Sequence, residues 1–437
     1  MLAEAVVSPE SRALVAAARA GRVGEVARLL RTGGEALDPA AWDSLALRAA
    51  AECGRTGVVA LLLRAPRVDP AARGDHALRR AAARGHEGVV ALLLADPRVD
   101  PAADADEALF RAAGEGRAGV VALLLGDPRV CPSDHVSSVL LRAAWAGHAE
   151  VVALLLADPR VDPAAEDGAA LRLAAENGHT EAVALLLGDP RVDPAARDSA
   201  ALRVAAEKGR HTMIVALLLA DPRVDPAARD DEALRVAVAR GRAWTVRRLL
   251  ADPRVNPAAD DNFAVRRAAE RGRADIVALL LADPRTDPAA DNNYAIRVAA
   301  DKGHAAVAEL LLGDPRVDPA ADDDYAIRIA AFSGFSEVVA LLLSHPRVDP
   351  GVADNTAIIA AAAGGHEWTV GFLLGDPRVD PAAGNDAALL AAAEGGREAV
   401  AALLVADPRV DPVVLDQPRF AALRASPPVV GGLAARP

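Results

Sequence analysis

The chain has 437 residues and a formal net charge of −12, with 52% hydrophobic residues but only 3% aromatic ones. That acidity excludes a sequence-independent grip on nucleic acid or on an anionic membrane, because both need a basic surface. No apolar run approaches the roughly 20 residues of a membrane span, and the opening MLAEAVVSPESRALV lacks the basic start and continuous apolar core of a secretory leader, so the expected location is cytoplasmic, or nuclear, and not secreted.

Residues 1–10 read as an N-terminal extension. Beyond them the chain is periodic: the string PRVDP or a close variant has its proline at 66, 97, 128, 159, 190, 222, 253, 284, 315, 346, 377 and 408, every step 31 residues except one of 32. A fixed period of this size is the signature of a helical-repeat solenoid, in which each repeat is one supersecondary element too small to bury its own apolar face. Residues 11–412 are therefore expected to form one elongated, all-α array rather than several globular domains.

Within a repeat the first predicted helix begins just after Ser, Asp or Asn: Ser44, Asp75, Asp106, Ser137, Ser199, Asp231, Asn262, Asn293, Asp324, Asn355 and Asp386, with Gly168 the exception. These read as N-cap residues, whose side-chain oxygen accepts an orphan backbone N–H. The helix ends at a glycine present in all thirteen repeats, Gly21 to Gly396, a residue suited to the left-handed C-cap. A second helix, V-V-A-L-L-L, is apolar nearly all round and is stopped by Asp-Pro, which favours a type I turn, with the following Val as a short extended anchor. The single 32-residue step places an extra residue near Gly209-Arg210-His211, at the turn between the helices. Residues 413–424, VVLDQPRFAALR, read as a half-repeat cap, and 425–437 as a flexible tail.

The run from Ala170 to Leu187, ALRLAAENGHTEAVALLL, resembles the ankyrin repeat, in which T-P-L-H-x-A-A-x-x-G-H-x-x-I-V-x-L-L-L is followed by a loop. The resemblance recurs thirteen times between residues 11 and 412. This sequence lacks the T-P pair, replaces the usual His mainly with Arg, and shortens the loop, which leaves open whether the family's β-hairpin finger forms. The resemblance implies an ankyrin-like solenoid that binds a protein partner in its concave groove, with the His after the glycine structural.

Other motifs weigh less. Gly114, Gly116 and Gly119 spell a Gly-x-Gly-x-x-Gly string, but it follows a helix rather than a strand and Gly116 is the repeat's own C-cap, so no nucleotide site is expected. Five histidines, His86, His148, His179, His304 and His366, follow the repeat glycine, yet Arg takes the place elsewhere, which a metal ligand would not permit. Cys53 and Cys131 lie in different repeats, too far apart to pair. No unique nucleophile, base and orienting group stand out, so neither an enzyme nor a cofactor is expected. Arg172, Arg203, Arg235, Arg266, Arg297 and Arg328 share one place in successive first helices, and Arg98, Arg160, Arg191, Arg223 and Arg254 follow Asp-Pro; both ladders read as rows of Arg–Asp hydrogen bonds tying each loop to its neighbour.

Partner contact is expected where the repeats disagree. The two residues before the glycine differ most: Trp145, then Glu176, Glu207, Lys208, Arg240, Glu270, Arg271, Asp301, Lys302 and Phe332. By the resemblance this pair faces the concave groove. Phe263, Tyr294 and Tyr325 hold one first-helix position in three consecutive repeats, a candidate aromatic strip with the composition of interface anchors. Trp244 and Trp368 share a place at the start of the second helix. The reading is a non-catalytic, monomeric protein-binding module with no nucleic-acid or membrane partner, the alternative being a structural spacer with no groove ligand.

Overall fold

A computed structural model of the chain describes residues 8–34, 37–130 and 136–411. The chain divides into two compact units between Asp225 and Pro226. The first holds seven helix pairs: α1 (Pro9–Ala20) and α2 (Val23–Thr32), α3 (Ala41–Glu52) and α4 (Thr56–Leu63), α5 (Ala72–Arg84) and α6 (Glu87–Leu94), α7 (Ala103–Gly114) and α8 (Ala118–Leu125), α9 (Val136–Ala146) and α10 (Ala149–Ala157), α11 (Ala165–Asn177) and α12 (Thr180–Gly188), α13 (Ala196–Lys208) and α14 (Thr212–Ala220). The second holds six: α15 (Ala228–Ala239) and α16 (Ala243–Leu250), α17 (Ala259–Glu270) and α18 (Ala274–Leu281), α19 (Ala290–Asp301) and α20 (Ala305–Leu312), α21 (Ala321–Ser333) and α22 (Ser336–Leu343), α23 (Val352–Gly364) and α24 (Glu367–Leu374), α25 (Ala383–Glu394) and α26 (Glu398–Ala406).

Within each unit the first helices pack on first helices and the second on second, each pair also packing internally, so the core runs between two helical layers. Small residues let the layers approach: Ala295, Ala299 and Ala300 of α19 are buried, as are Val307, Ala308 and Leu311 of α20. Helices of eight to thirteen residues are marginal alone, so stacking supplies the stability, about 1.5–3 kcal/mol for each buried Val or Leu. The valine after Asp-Pro-Arg is buried, as at Val99, Val161 and Val317. The residue that makes one step 32 long is absorbed in the turn: α13 and α14 keep the lengths of α11 and α12, and three residues instead of two separate them.

The repeat glycine is left-handed in every repeat, from Gly21 (φ +76°) to Gly396 (φ +62°). Backbone angle is only half of its reason. At Gly272 (φ +64°) a Cβ would lie 2.7 Å from the ring of His304, the residue after the next repeat's glycine. That ring lies across the glycine to reach the preceding repeat, where Nε2–H donates to the Glu270 carbonyl (3.2 Å). His86, His148, His179 and His366 make the same bond to Glu52, Gly114, Trp145 and Phe332. Arg55, Arg117 and Arg397 reach the equivalent carbonyl through Nε–H, which explains why His and Arg interchange.

The start of the first helix departs from the predicted N-cap. In ten of the described loops, three consecutive residues adopt left-handed angles, as at Asp291 (φ 55°, ψ 50°), Asn292 (φ 53°, ψ 50°) and Asn293 (φ 59°, ψ 37°). The Ser, Asp or Asn read as an N-cap is the last of these three, and its side-chain oxygen points across the junction to the next repeat. Asn293 Oδ1 accepts from the Asp318 N–H (2.7 Å), Ser44 Oγ from Asp69 (2.9 Å), Asp75 Oδ1 from Asp100 (3.2 Å), and Asn262, Asp324 and Asn355 do likewise. The orphan donor it satisfies thus belongs to a neighbouring loop. Ser137's side chain, Cys131, the half-repeat cap and the tail lie outside the described residues. No strand occurs among the described residues, so the loop runs through turns in place of a β-hairpin finger.

Candidate functional site

Most polar side chains that recur in every repeat are engaged inside the stack. After Asp-Pro, Arg316 shows the pattern: Nε and NH2 hold Asp314 bidentately (2.9 and 2.6 Å), while NH1 donates to the Thr286 carbonyl (2.7 Å) and NH2 to that of Leu281 (3.2 Å), both in the preceding repeat. In this ladder the Arg–Asp pair is therefore internal to its loop, and the tie to the neighbour runs from guanidinium to backbone carbonyl, a correction to the Arg–Asp tie predicted for it; in the first-helix ladder that tie is present, as in Arg235–Asp260, Arg266–Asp291 and Arg297–Asp322. The hydrogen bonds from Arg316 hold the Asp314 carboxyl below its usual range, as they do for Asp283 beside Arg285 and Asp376 beside Arg378.

The first-helix arginines clamp the left-handed turn. Arg297 donates from Nε to the Asn292 carbonyl (3.0 Å) and from NH2 to that of Asp291 (3.1 Å), while NH1 reaches Asp322 of the next repeat (3.1 Å). Arg266 repeats this with Asp261, Asp260 and Asp291. A non-glycine residue in the left-handed region costs about 1–2 kcal/mol, and these charge-assisted bonds offset three such residues per repeat.

The aromatic strip is built onto that clamp. Arg235 lies over the ring of Phe263 (5.8 Å), Arg266 over Tyr294 (5.8 Å), and Arg297 and Arg328 over Tyr325 (5.7 and 5.9 Å). The three rings are half-buried against the ladder, Tyr325 between two arginines, so part of their value is cation–π contact within the stack.

The variable positions before the glycine lie at the ends of the first helices. In the first unit these are Trp145, Glu176, Glu207 and Lys208; in the second, Arg240, Glu270, Arg271, Asp301, Lys302 and Phe332. Several charges pair with one another: Lys208 with Glu176 of the preceding repeat (3.5 Å), Lys302 with Asp301 (2.9 Å), and Glu270 with Arg267 (2.6 Å). The aromatics stay open. Phe332 is 64% exposed, and Trp145 is 46% exposed even with Arg142 stacked over its ring at 4.8 Å.

No group of three or more His, Cys, Asp or Glu among the described residues is arranged to hold a metal ion. Gly116 follows α7 at φ +71° and Gly119 lies inside α8, so the glycine string spans a helix–helix turn rather than a strand–helix loop. No helix among the described residues is long and apolar enough to cross a membrane.

Sequence reasoning missed the left-handed turn and its cross-repeat bond. The signal was there: Asp and Asn crowd three adjacent positions, as in Asp260-Asp261-Asn262 and Asp291-Asn292-Asn293, and these are the residues that best tolerate such angles. A family model of ankyrin repeats in three copies matches residues 140–230, 171–261 and 327–416. No curated protein matches the chain.

Proposed function

Given that the chain belongs to the ankyrin-repeat family, we propose that it is a non-catalytic module binding a partner protein along the ends of its first helices and the adjoining loop edge. The observation that supports this reading is a contrast. Recurrent polar residues are spent on internal contacts, whereas Phe332 and Trp145 sit at positions the stack does not fix and remain open. Exposed aromatic side chains beside charged neighbours have the composition of interface anchors, and a rigid scaffold loses little entropy on docking. In the first unit Trp145 would be the anchor, with Glu176, Glu207 and Lys208 as polar contacts; in the second Phe332 would be the anchor, with Arg240, Glu270, Arg271, Asp301 and Lys302 as polar contacts and the edges of Phe263, Tyr294 and Tyr325 contributing apolar area.

The alternative, a spacer that only holds length, is favoured by how fully the repeated Arg, Asp and His side chains are consumed inside the stack. Affinity capture from the source organism's lysate separates the two, comparing wild type with Phe332→Ala and Trp145→Ala, both exposed enough for folding to survive and to be checked by circular dichroism. A protein retained by wild type and lost from either variant supports the binding reading. Retention unchanged in both variants sinks the assignment to this face, and nothing specific retained by wild type puts the spacer ahead.

A further inference from the structure

Most second helices carry a solvent-side pattern of Ala then Leu at their fifth and sixth places, as in Ala91-Leu92, Ala122-Leu123, Ala278-Leu279 and Ala340-Leu341. α16 replaces both with arginine, Arg247 and Arg248, and carries Trp244 three and four residues earlier. That spacing puts the three side chains on one helix face. The opposite face, Thr245, Val246 and Leu249, is buried in the stack, while Trp244 is 45% exposed and both arginines are exposed.

Arg247 and Arg248 also differ in what they touch. Neither side chain makes a hydrogen bond or ion pair among the described residues, in a chain whose arginines are otherwise largely consumed by loops and neighbours. Asp252, one turn beyond Arg248, is held bidentately by Arg254 (3.0 and 2.8 Å), and Asp275 on the adjacent α18 is held by Arg273 (3.2 Å). Residues 239–251 contain four arginines and no carboxylate, in a chain of net charge −12.

We propose that the Trp244–Arg247–Arg248 face of α16 docks an acidic peptide segment of a partner protein. Two guanidiniums with unfilled donors match carboxylates bidentately, and the adjoining indole offers a flat apolar anchor; Trp and Arg together are the residue types that dominate interface energy. A short acidic segment suits the site better than a polyanion. Its few charges sit within the screening length of about 8 Å, whereas an extended nucleic acid would also feel the acidity of the rest of the chain. This surface lies on the second-helix layer, and it stands or falls independently of the first-helix ends.

The test is to pan a phage-displayed library of random peptides on the full-length protein, then measure the selected peptides against wild type, R247E/R248E and W244A. Circular dichroism verifies that the variants fold, since all three side chains are exposed. Wild type is expected to select peptides pairing Asp or Glu with a neighbouring apolar residue. Their affinity should fall roughly tenfold or more in R247E/R248E, weaken with salt, and recover in that variant when the peptide's acids are exchanged for Lys. W244A should weaken binding with little change in salt dependence. Selected peptides with no acidic enrichment over the starting library, or acidic peptides that bind both variants as they bind wild type, would overturn the proposal. So would a labelled DNA duplex held more tightly than the selected peptides and lost in R247E/R248E.

Discussion

Asn293 and Asp324 occupy the same place in successive repeats and accept the same bond from the next loop, at 2.7 and 3.0 Å, yet only one of them is an acid. Burial pushes the Asp324 carboxyl above its usual range, and the nearby charges of Asp349 and Asp318 act the same way. A carboxyl whose folded pKa is raised binds its proton more tightly in the folded state, so stability is lost as pH climbs from the unfolded value near about 4 through the folded one. Asp324→Asn keeps the accepting oxygen and removes the charge. The variant is expected to unfold at higher urea than wild type at pH 7, with the gain shrinking towards zero below about pH 4. Equal midpoints at pH 7 would mean that the buried carboxylate costs the fold nothing. Asp75 is raised by the same cause, burial.

Each loop works as a joint, and its Arg is the part that reaches across. Arg316 holds its own Asp314 and two carbonyls of the preceding repeat, with about a third of its side chain exposed. Arg316→Ala removes a charge-assisted pair and leaves those carbonyls to water. The expected cost is about 1–3 kcal/mol, towards the lower end because solvent screens the pair. Arg316→Lys should recover only part of that, since an ammonium cannot span the carboxylate and both carbonyls at once. Denaturant unfolding of the three proteins gives the comparison; a lysine variant as stable as wild type would show that charge alone, without the fork, secures the joint. The loop at His345-Pro346-Arg347 is a natural half-measure: His stands in the Asp place, and Arg347 keeps its bond to the Val317 carbonyl.

At the scale of the whole chain these joints add up to a pH response. In ten loops, from Asp96 to Asp407, the following Arg holds the Asp carboxyl below its usual range. A depressed folded pKa contributes stability that is present above the unfolded value and lost as pH falls through the folded one. The few raised carboxyls oppose this but are outnumbered. Helicity followed by far-ultraviolet circular dichroism is therefore expected to collapse between about pH 4 and pH 2. Full helicity at about pH 2 would place the stability in apolar stacking alone and leave the Arg–Asp pairs without thermodynamic weight.

Much of this protein is written in its local sequence. The 31-residue period, the alternation of two apolar patterns, the recurring glycine and the Asp-Pro stop determine two short helices per repeat, and repetition leaves stacking as the only way to bury them. The glycine's conformation was legible because a helix end is a local event. The partners of the polar residues were not. Sequence placed Asn293 beside the helix it begins and Arg316 beside Asp314, but the groups they satisfy, Asp318 N–H and the Thr286 and Leu281 carbonyls, lie roughly a repeat away. Which aromatic rings are spent on arginines and which stay open, Tyr294 against Phe332, is likewise set by what the adjacent repeat brings alongside. A chain can specify the shape of a repeat from within it; only the stacked structure decides which donor meets which acceptor and which surface is left over for a partner, because those contacts form between residues that are close in space and distant along the chain.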